Sequence, residues 1–122
     1  MNQSFLPPDD LPPVRVTQLD RMLRRQLEVS AGKRFYEVCG RITKALLSSC
    51  EWYITTNASG LTLVIVCPDV VTYWNIVTDI EQIGNRLERF ASSATIRVCP
   101  PIGKGNPFEI RVDEISTHRD FF

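Results

Sequence analysis

Leu61-Thr62-Leu63-Val64-Ile65-Val66-Cys67-Pro68-Asp69-Val70-Val71-Thr72-Tyr73-Trp74-Asn75-Ile76-Val77 decides the fold. Its first six residues are β-branched or aliphatic and the seventh is the small apolar Cys67, all without a charge, the pattern of a central strand. With both faces apolar, the strand is expected to be covered on both sides. Pro68 cannot continue a ladder, and Asp69 is a natural N-cap for a helix. Val70, Tyr73, Val77, Ile80, Gly84, Leu87 and Ala91 then recur at helical spacing, which predicts one helix over 70–91 with Trp74 beside its buried stripe. A strand followed at once by a capped amphipathic helix is the seed of an α+β layer.

Outward from that seed the elements alternate. Trp52-Tyr53-Ile54-Thr55-Thr56 reads as a strand, joined to 61–67 by the hairpin loop Asn57-Ala58-Ser59-Gly60. Residues 95–99 (TIRVC) and 108–113 (FEIRVD) are two further strands. The loop between them contains Gly103-Lys104-Gly105, read as a hairpin loop or a secondary phosphate contact. Toward the N-terminus, Val16, Leu19, Leu23, Leu27, Ala31, Phe35, Val38, Ile42, Ala45 and Ser49 follow one another at intervals of three or four. Thr17-Gln18-Leu19-Asp20 has the shape of a capping box. A single helix over 17–49 would be about 50 Å long, so two helices, 17–30 and 33–48, with a bend near Gly32, are expected. The predicted class is α+β: a mixed or antiparallel sheet of about four strands with helices packed on one face, in the order α-(α)-β-β-α-β-β. Residues 1–14 hold four of the eight prolines and read as an extended arm, 15–113 as one domain, and 114–122 as a tail.

The 122 residues carry 14 Lys+Arg against 14 Asp+Glu, and 43% are hydrophobic, an ordinary globular balance. No apolar run approaches a membrane span, and the N-terminus has no leader, so a cytoplasmic protein without membrane contact is expected. Cys39, Cys50, Cys67 and Cys99 form no C-x-x-C pair, and His118 is the single histidine. That excludes zinc spacing and leaves the cysteines as buried apolar groups. A Cys–His nucleophile would need His118 to fold back from the tail. The acidic pairs Asp9/Asp10, Asp79/Glu81 and Asp113/Glu114 are sequence neighbours that point apart, unlike a converging acid–base pair. No phosphate, dinucleotide or hydrolase motif appears. No enzyme activity, metal or cofactor is expected.

The charge is polarised along the chain. Residues 1–20 net −2, 21–44 net +5, 45–94 net −3, and 95–122 are balanced. Arg21, Arg24, Arg25 and Glu28 share one helix side, opposite Leu19, Leu23 and Leu27, and Lys33, Arg34, Arg41 and Lys44 extend it. Three readings follow: contact with nucleic-acid phosphates, contact with an acidic protein, or a solvated face paired to Asp79, Glu81 and Glu88. Trp52, Trp74, Phe121 and Phe122 are the candidates for docking on a partner or a second copy.

The run from Trp52 to Val98 (a hairpin ending Leu63-Val64-Ile65-Val66, then Pro68-Asp69, a tryptophan-bearing helix ending Leu87-Glu88-Arg89-Phe90, and Ile96-Arg97-Val98) resembles KH-like α+β modules. Examples are the N-terminal domain of the replication initiator DnaA and the DciA-type helicase-loader domains. The resemblance covers roughly 50 residues and lacks the GXXG loop with which KH domains clamp a backbone. It implies a non-catalytic adaptor, near nucleic acid or at a protein partner. The expected function is thus an interaction module, homo-oligomeric or bound to a partner. The alternative is a regulatory or ligand-binding domain with a pocket between helix 70–91 and the sheet.

Overall fold

The computed structural model describes residues 13–91 and 93–119, with the side chains of 13–16 and 116–119 left aside. The chain runs α1 (Pro13–Val38), α2 (Arg41–Ser48), β1 (Glu51–Asn57), β2 (Gly60–Val66), α3 (Val70–Thr78), α4 (Ile80–Leu87), β3 (Ala94–Cys99), β4 (Phe108–Arg111) and α5 (Val112–Arg119). The four strands form one mixed sheet in the order β1-β2-β3-β4. The β1–β2 and β3–β4 pairs are antiparallel and β2–β3 is parallel. A parallel pair needs a crossover, and α3 and α4 supply it.

Side-chain alternation gives the sheet two unlike faces. Trp52 and Ile54, Leu61, Leu63 and Ile65, Ala94, Ile96 and Val98, and Phe108 and Ile110 share the face packed against the helices. Phe35, Leu47, Ile76, Ile83 and Leu87 close over it without solvent exposure. The opposite face is a row of cross-strand neighbours, Tyr53, Val64, Arg97 and Glu109. Double coverage of β2 is therefore not what the fold provides. Val64 is 7% exposed because flanking strands shield it, whereas Val66 is 36% exposed.

The β1–β2 turn is tighter than a four-residue loop, since Asn57 already pairs with Gly60. Asn57 Oδ1 accepts from the amides of Ser59 (2.8 Å) and Gly60 (3.2 Å). Gly60 has φ +135°, and a Cβ there would strike the Ser93 carbonyl. Asp69 caps α3 as expected, its carboxylate accepting from the Thr72 amide at 2.7 Å.

Four boundaries differ from expectation. α1 passes through Gly32 unbroken and ends at Val38; Gly40, extended at ψ 170°, caps α2 instead. Breaking there turns Thr43 and Leu47 into the core, which a bend at Gly32 would not do. α1 is already helical at Pro13, so Thr17–Asp20 lies inside the helix. Residues 70–91 form two helices meeting at Asp79, where Thr43 Oγ1 donates to the Asp79 carboxylate at 2.6 Å. The last strand stops at Arg111, and 112–119 are helical: Val112 and Ile115 are buried beside α4 and β3. Among the described residues, no helix is long and apolar enough to cross a membrane.

Candidate interaction surface

α1 is 26 residues, about 39 Å, longer than the seven-residue strand β1 it packs on, which spans about 23 Å. Its second half is anchored. Phe35 is fully buried and meets Trp52 edge-on, and Tyr36 stacks on Trp52, both with ring centroids 5.9 Å apart. Lys44 Nζ stands 5.6 Å from the centroid of the Tyr36 ring. Glu28 reaches β1, accepting from the Thr56 amide (2.7 Å) and hydroxyl (2.9 Å).

Residues 17–27 are exposed on every side. The apolar series that reads as continuous from Leu19 to Phe35 does not stay on one face. Each step of four residues advances about 40° around a 3.6-residue helix, so Leu19 and Phe35 end about 160° apart. Facing the sheet is a different series, Glu28, Gly32, Phe35 and Cys39, with Arg25 at the rim of the cleft beside β1. Leu19, Met22, Leu23 and Leu27 consequently lie on the other side, with Val29 at the rim of the cleft beside β1, and all five are 52–70% exposed.

Arg21, Arg24, Arg25, Lys33, Arg34 and Arg41 are exposed, and Lys44 is half-buried by Tyr36. They do not gather into one patch: Arg25 and Lys33 both border the cleft between α1 and β1, together with Glu28 and Glu37, whereas Arg34 is not among its walls. Asp79 pairs with Thr43 rather than with this face. Ion pairs join Arg97 to Glu109 (3.4 Å), between β3 and β4, and Arg111 to Asp113 (3.1 Å), between β4 and α5.

Between α1 and β1 opens a cleft of about 950 Å³, lined by Arg25, Glu28 and Tyr36 from the helix, Leu47 and Cys50, and Trp52 to Thr55. Between 70–91 and the sheet, where the alternative reading expects a pocket, Ile76, Ile83 and Leu87 are fully buried. Trp52 is thus a wall of the cleft and a prop of the core, while Trp74 is 58% exposed on α3 with Tyr73 edge-on at 5.1 Å. The two do not meet. Phe121 and Phe122 lie outside the described residues. Gly103-Lys104-Gly105 forms an exposed loop with both glycines at positive φ.

The cysteines are free thiols. Cys39 donates to the Phe35 carbonyl, and Cys50 lies 4.0 Å from Cys67, sulfur to sulfur. Burial pushes the Cys39 thiol up to about 11. Burial, then the neighbouring Cys50, pushes Cys67 to about 12. Neutral thiols are poor nucleophiles and poor metal ligands. No group of three His, Cys, Asp or Glu residues fit to hold a metal occurs among the described residues. The chain matches no protein-family model, no curated protein and no solved structure.

Proposed function

We propose that the protein is a non-enzymatic interaction module that associates with a second copy of itself through the first half of α1. One observation carries this reading: five large apolar side chains stand more than half exposed on consecutive turns of a helix that its own domain does not cover. Leu19, Met22, Leu23 and Leu27 are spaced by three and four, the geometry of a helix–helix seam.

The magnitudes favour a weak complex. Covering the exposed half of five such side chains contributes about 5 kcal/mol per copy. Two copies supply about 10 kcal/mol, against an association cost of several kcal/mol or more. The surplus is about 5 kcal/mol, a dissociation constant on the order of 100 µM. Sedimentation velocity from 10 µM to 1 mM should show a monomer–dimer shift that Leu23→Glu abolishes. A 14 kDa species throughout contradicts the proposal.

A second reading, nucleic-acid contact, is favoured by exposed Arg21, Arg24 and Arg25, which form no ion pair among the described residues. It requires binding to a DNA or RNA fragment that weakens steeply with salt and is lost on reversing the three charges. No binding at 50 mM salt removes it. The KH-like resemblance belongs with this reading; without a GXXG loop, any phosphate contact falls to these arginines.

A further inference from the structure

We propose that Cys50 and Cys67 are a redox modification site: a reversible disulfide between them locks the open end of the β1–β2 hairpin. Their register carries the inference. Glu51 pairs with Val66 in the antiparallel ladder, so Cys50 stands opposite Cys67 one step further on. Both side chains continue the core-facing alternation, Cys50 that of Trp52 and Ile54, Cys67 that of Leu63 and Ile65. Their sulfurs are 4.0 Å apart.

The pair is also of the kind a disulfide fits. The Cys67 amide donates across to the Cys99 carbonyl, and the Cys50 amide donates back to the Leu47 carbonyl. Neither is directed at the other cysteine. Thr56, six residues from Cys50 along β1, likewise sends its amide away from β2, to Glu28, and that orientation recurs every second residue. Cys50 and Cys67 therefore form a non-hydrogen-bonded pair, in which Cα atoms lie about 4.5 Å apart. Disulfides span roughly 4.4–6.8 Å between Cα atoms and close at an S–S length of about 2.05 Å. Rotation of the two side chains brings the sulfurs together, and no ladder hydrogen bond has to break. The other thiols are not so placed. Cys99 is the register partner of Val66 and lies on the opposite face of the sheet from Cys67. Cys39 donates to the Phe35 carbonyl one turn back.

Cys50 is half-buried and forms part of the wall of the cleft between α1 and β1, whereas Cys67 is 2% exposed. An oxidant of the low-molecular-weight disulfide class, such as oxidised glutathione, therefore meets Cys50 first. The Cys50 thiolate attacks one glutathione sulfur, giving a mixed disulfide and a glutathione thiolate that takes up the proton Cys50 released. The Cys67 thiolate then attacks Cys50 Sγ. The Cys50–Cys67 bond forms, the mixed bond breaks, and the second glutathione leaves as a thiolate that takes the Cys67 proton. Two electrons pass from the cysteine pair to glutathione. Burial raises both thiols above their ordinary value, so closure is slow at neutral pH and accelerates as pH rises. The closed bond fastens the end of α2 to the start of α3, because Cys50 follows the Ser49 cap of one and Cys67 precedes the Asp69 cap of the other.

The test equilibrates the full chain, native and in urea, with glutathione at a series of oxidised-to-reduced ratios, then traps the remaining thiols in denaturant with N-ethylmaleimide. Trypsin places Cys39 in 35–41, Cys50 and Cys67 together in 45–86, and Cys99 in 98–104. Mass spectrometry should show 45–86 lacking both adducts and two hydrogens lighter, with Cys39 and Cys99 in no protein disulfide. Whatever the bond lends the fold, the fold lends the bond, so for a loop of this length the native protein should favour closure about a hundredfold over the chain in urea. Cys67→Ala should stop at a glutathione adduct on Cys50, and dithiothreitol should restore both thiols in the parent. A 45–86 peptide that keeps both adducts, or carries only glutathione, in oxidising buffer overturns the proposal. So does a disulfide that takes Cys50 or Cys67 to another partner, and so does a native protein no more readily oxidised than the chain in urea.

Discussion

Gly84→Ala tests whether α5 is docked where the fold places it. Gly84 lies buried on α4, and a Cβ there would sit 2.8 Å from Ile115 Cδ1 and 3.9 Å from Ile96 Cδ1. Two effects compete. Replacing a mid-helix glycine by alanine gains about 0.5–1 kcal/mol. Overpacking a filled core costs about 1–3 kcal/mol. The contact is the tip of an isoleucine that can rotate, so the penalty falls toward the middle of that range and the net change is about 1 kcal/mol of destabilisation. Ile115→Val alone removes the same methyl and costs about 1 kcal/mol. In the double variant the new Cβ occupies the vacated space and the clash disappears, so stability returns close to that of the parent. The coupling is about −2 kcal/mol, well outside the scatter of independent sites. Urea unfolding followed by far-UV circular dichroism measures all four corners, with m unchanged. Stabilisation by Gly84→Ala that simply adds to the Ile115→Val cost would refute the packing of α5 on α4.

Thr43→Val keeps the shape but leaves the Asp79 carboxylate without its 2.6 Å donor. It should cost about 1.5–3 kcal/mol in urea unfolding, and an unchanged midpoint would deny the bond that holds α2 to the α3–α4 junction. The buried thiols set an alkaline limit. Unfolded cysteines ionise near 9, whereas Cys39 and Cys67 stay neutral to about 11 and about 12. Because the unfolded chain loses those protons first, stability should fall as pH rises above about 9; a flat profile from pH 8 to 10 would contradict their burial. At pH 8 the same thiols should resist alkylation in the native protein and react fully in urea. Trp74→Ala should leave stability within about 0.5 kcal/mol, since the ring is mostly in solvent; a larger loss would mean that something covers α3.

Local chemistry made the sheet and its flanks legible. The uncharged run 61–67, the Pro68-Asp69 stop and cap, and the hairpin at Asn57–Gly60 each act over a few residues, and the structure keeps them all. What escaped the sequence was set by tertiary contact. Gly32 and Gly40 are equivalent as helix breakers in isolation, and only the burial of Thr43 and Leu47 selects Gly40. The kink at Asp79 depends on a threonine 36 residues away. Glu28 was visible only as one more charge on a polar face, yet it seals part of the β1 edge. The candidate surface was half legible. The basic side of α1 was readable from spacing, but the exposure of its apolar side was not, because repeated steps of four conceal a rotation around the helix. The cleft beside Trp52 left no sequence signal, since its walls come from three separate elements.

Association through the first half of α1 is read out by sedimentation velocity of the full chain against its Leu23→Glu variant. The substitution lies on an exposed side chain and should leave the circular dichroism spectrum unchanged. The parent should move from a 14 kDa monomer toward a dimer as concentration rises through about 100 µM, while the variant stays monomeric to 1 mM. Identical profiles for the two proteins, whether both monomeric or both dimeric, would contradict the assignment of α1 as the associating surface.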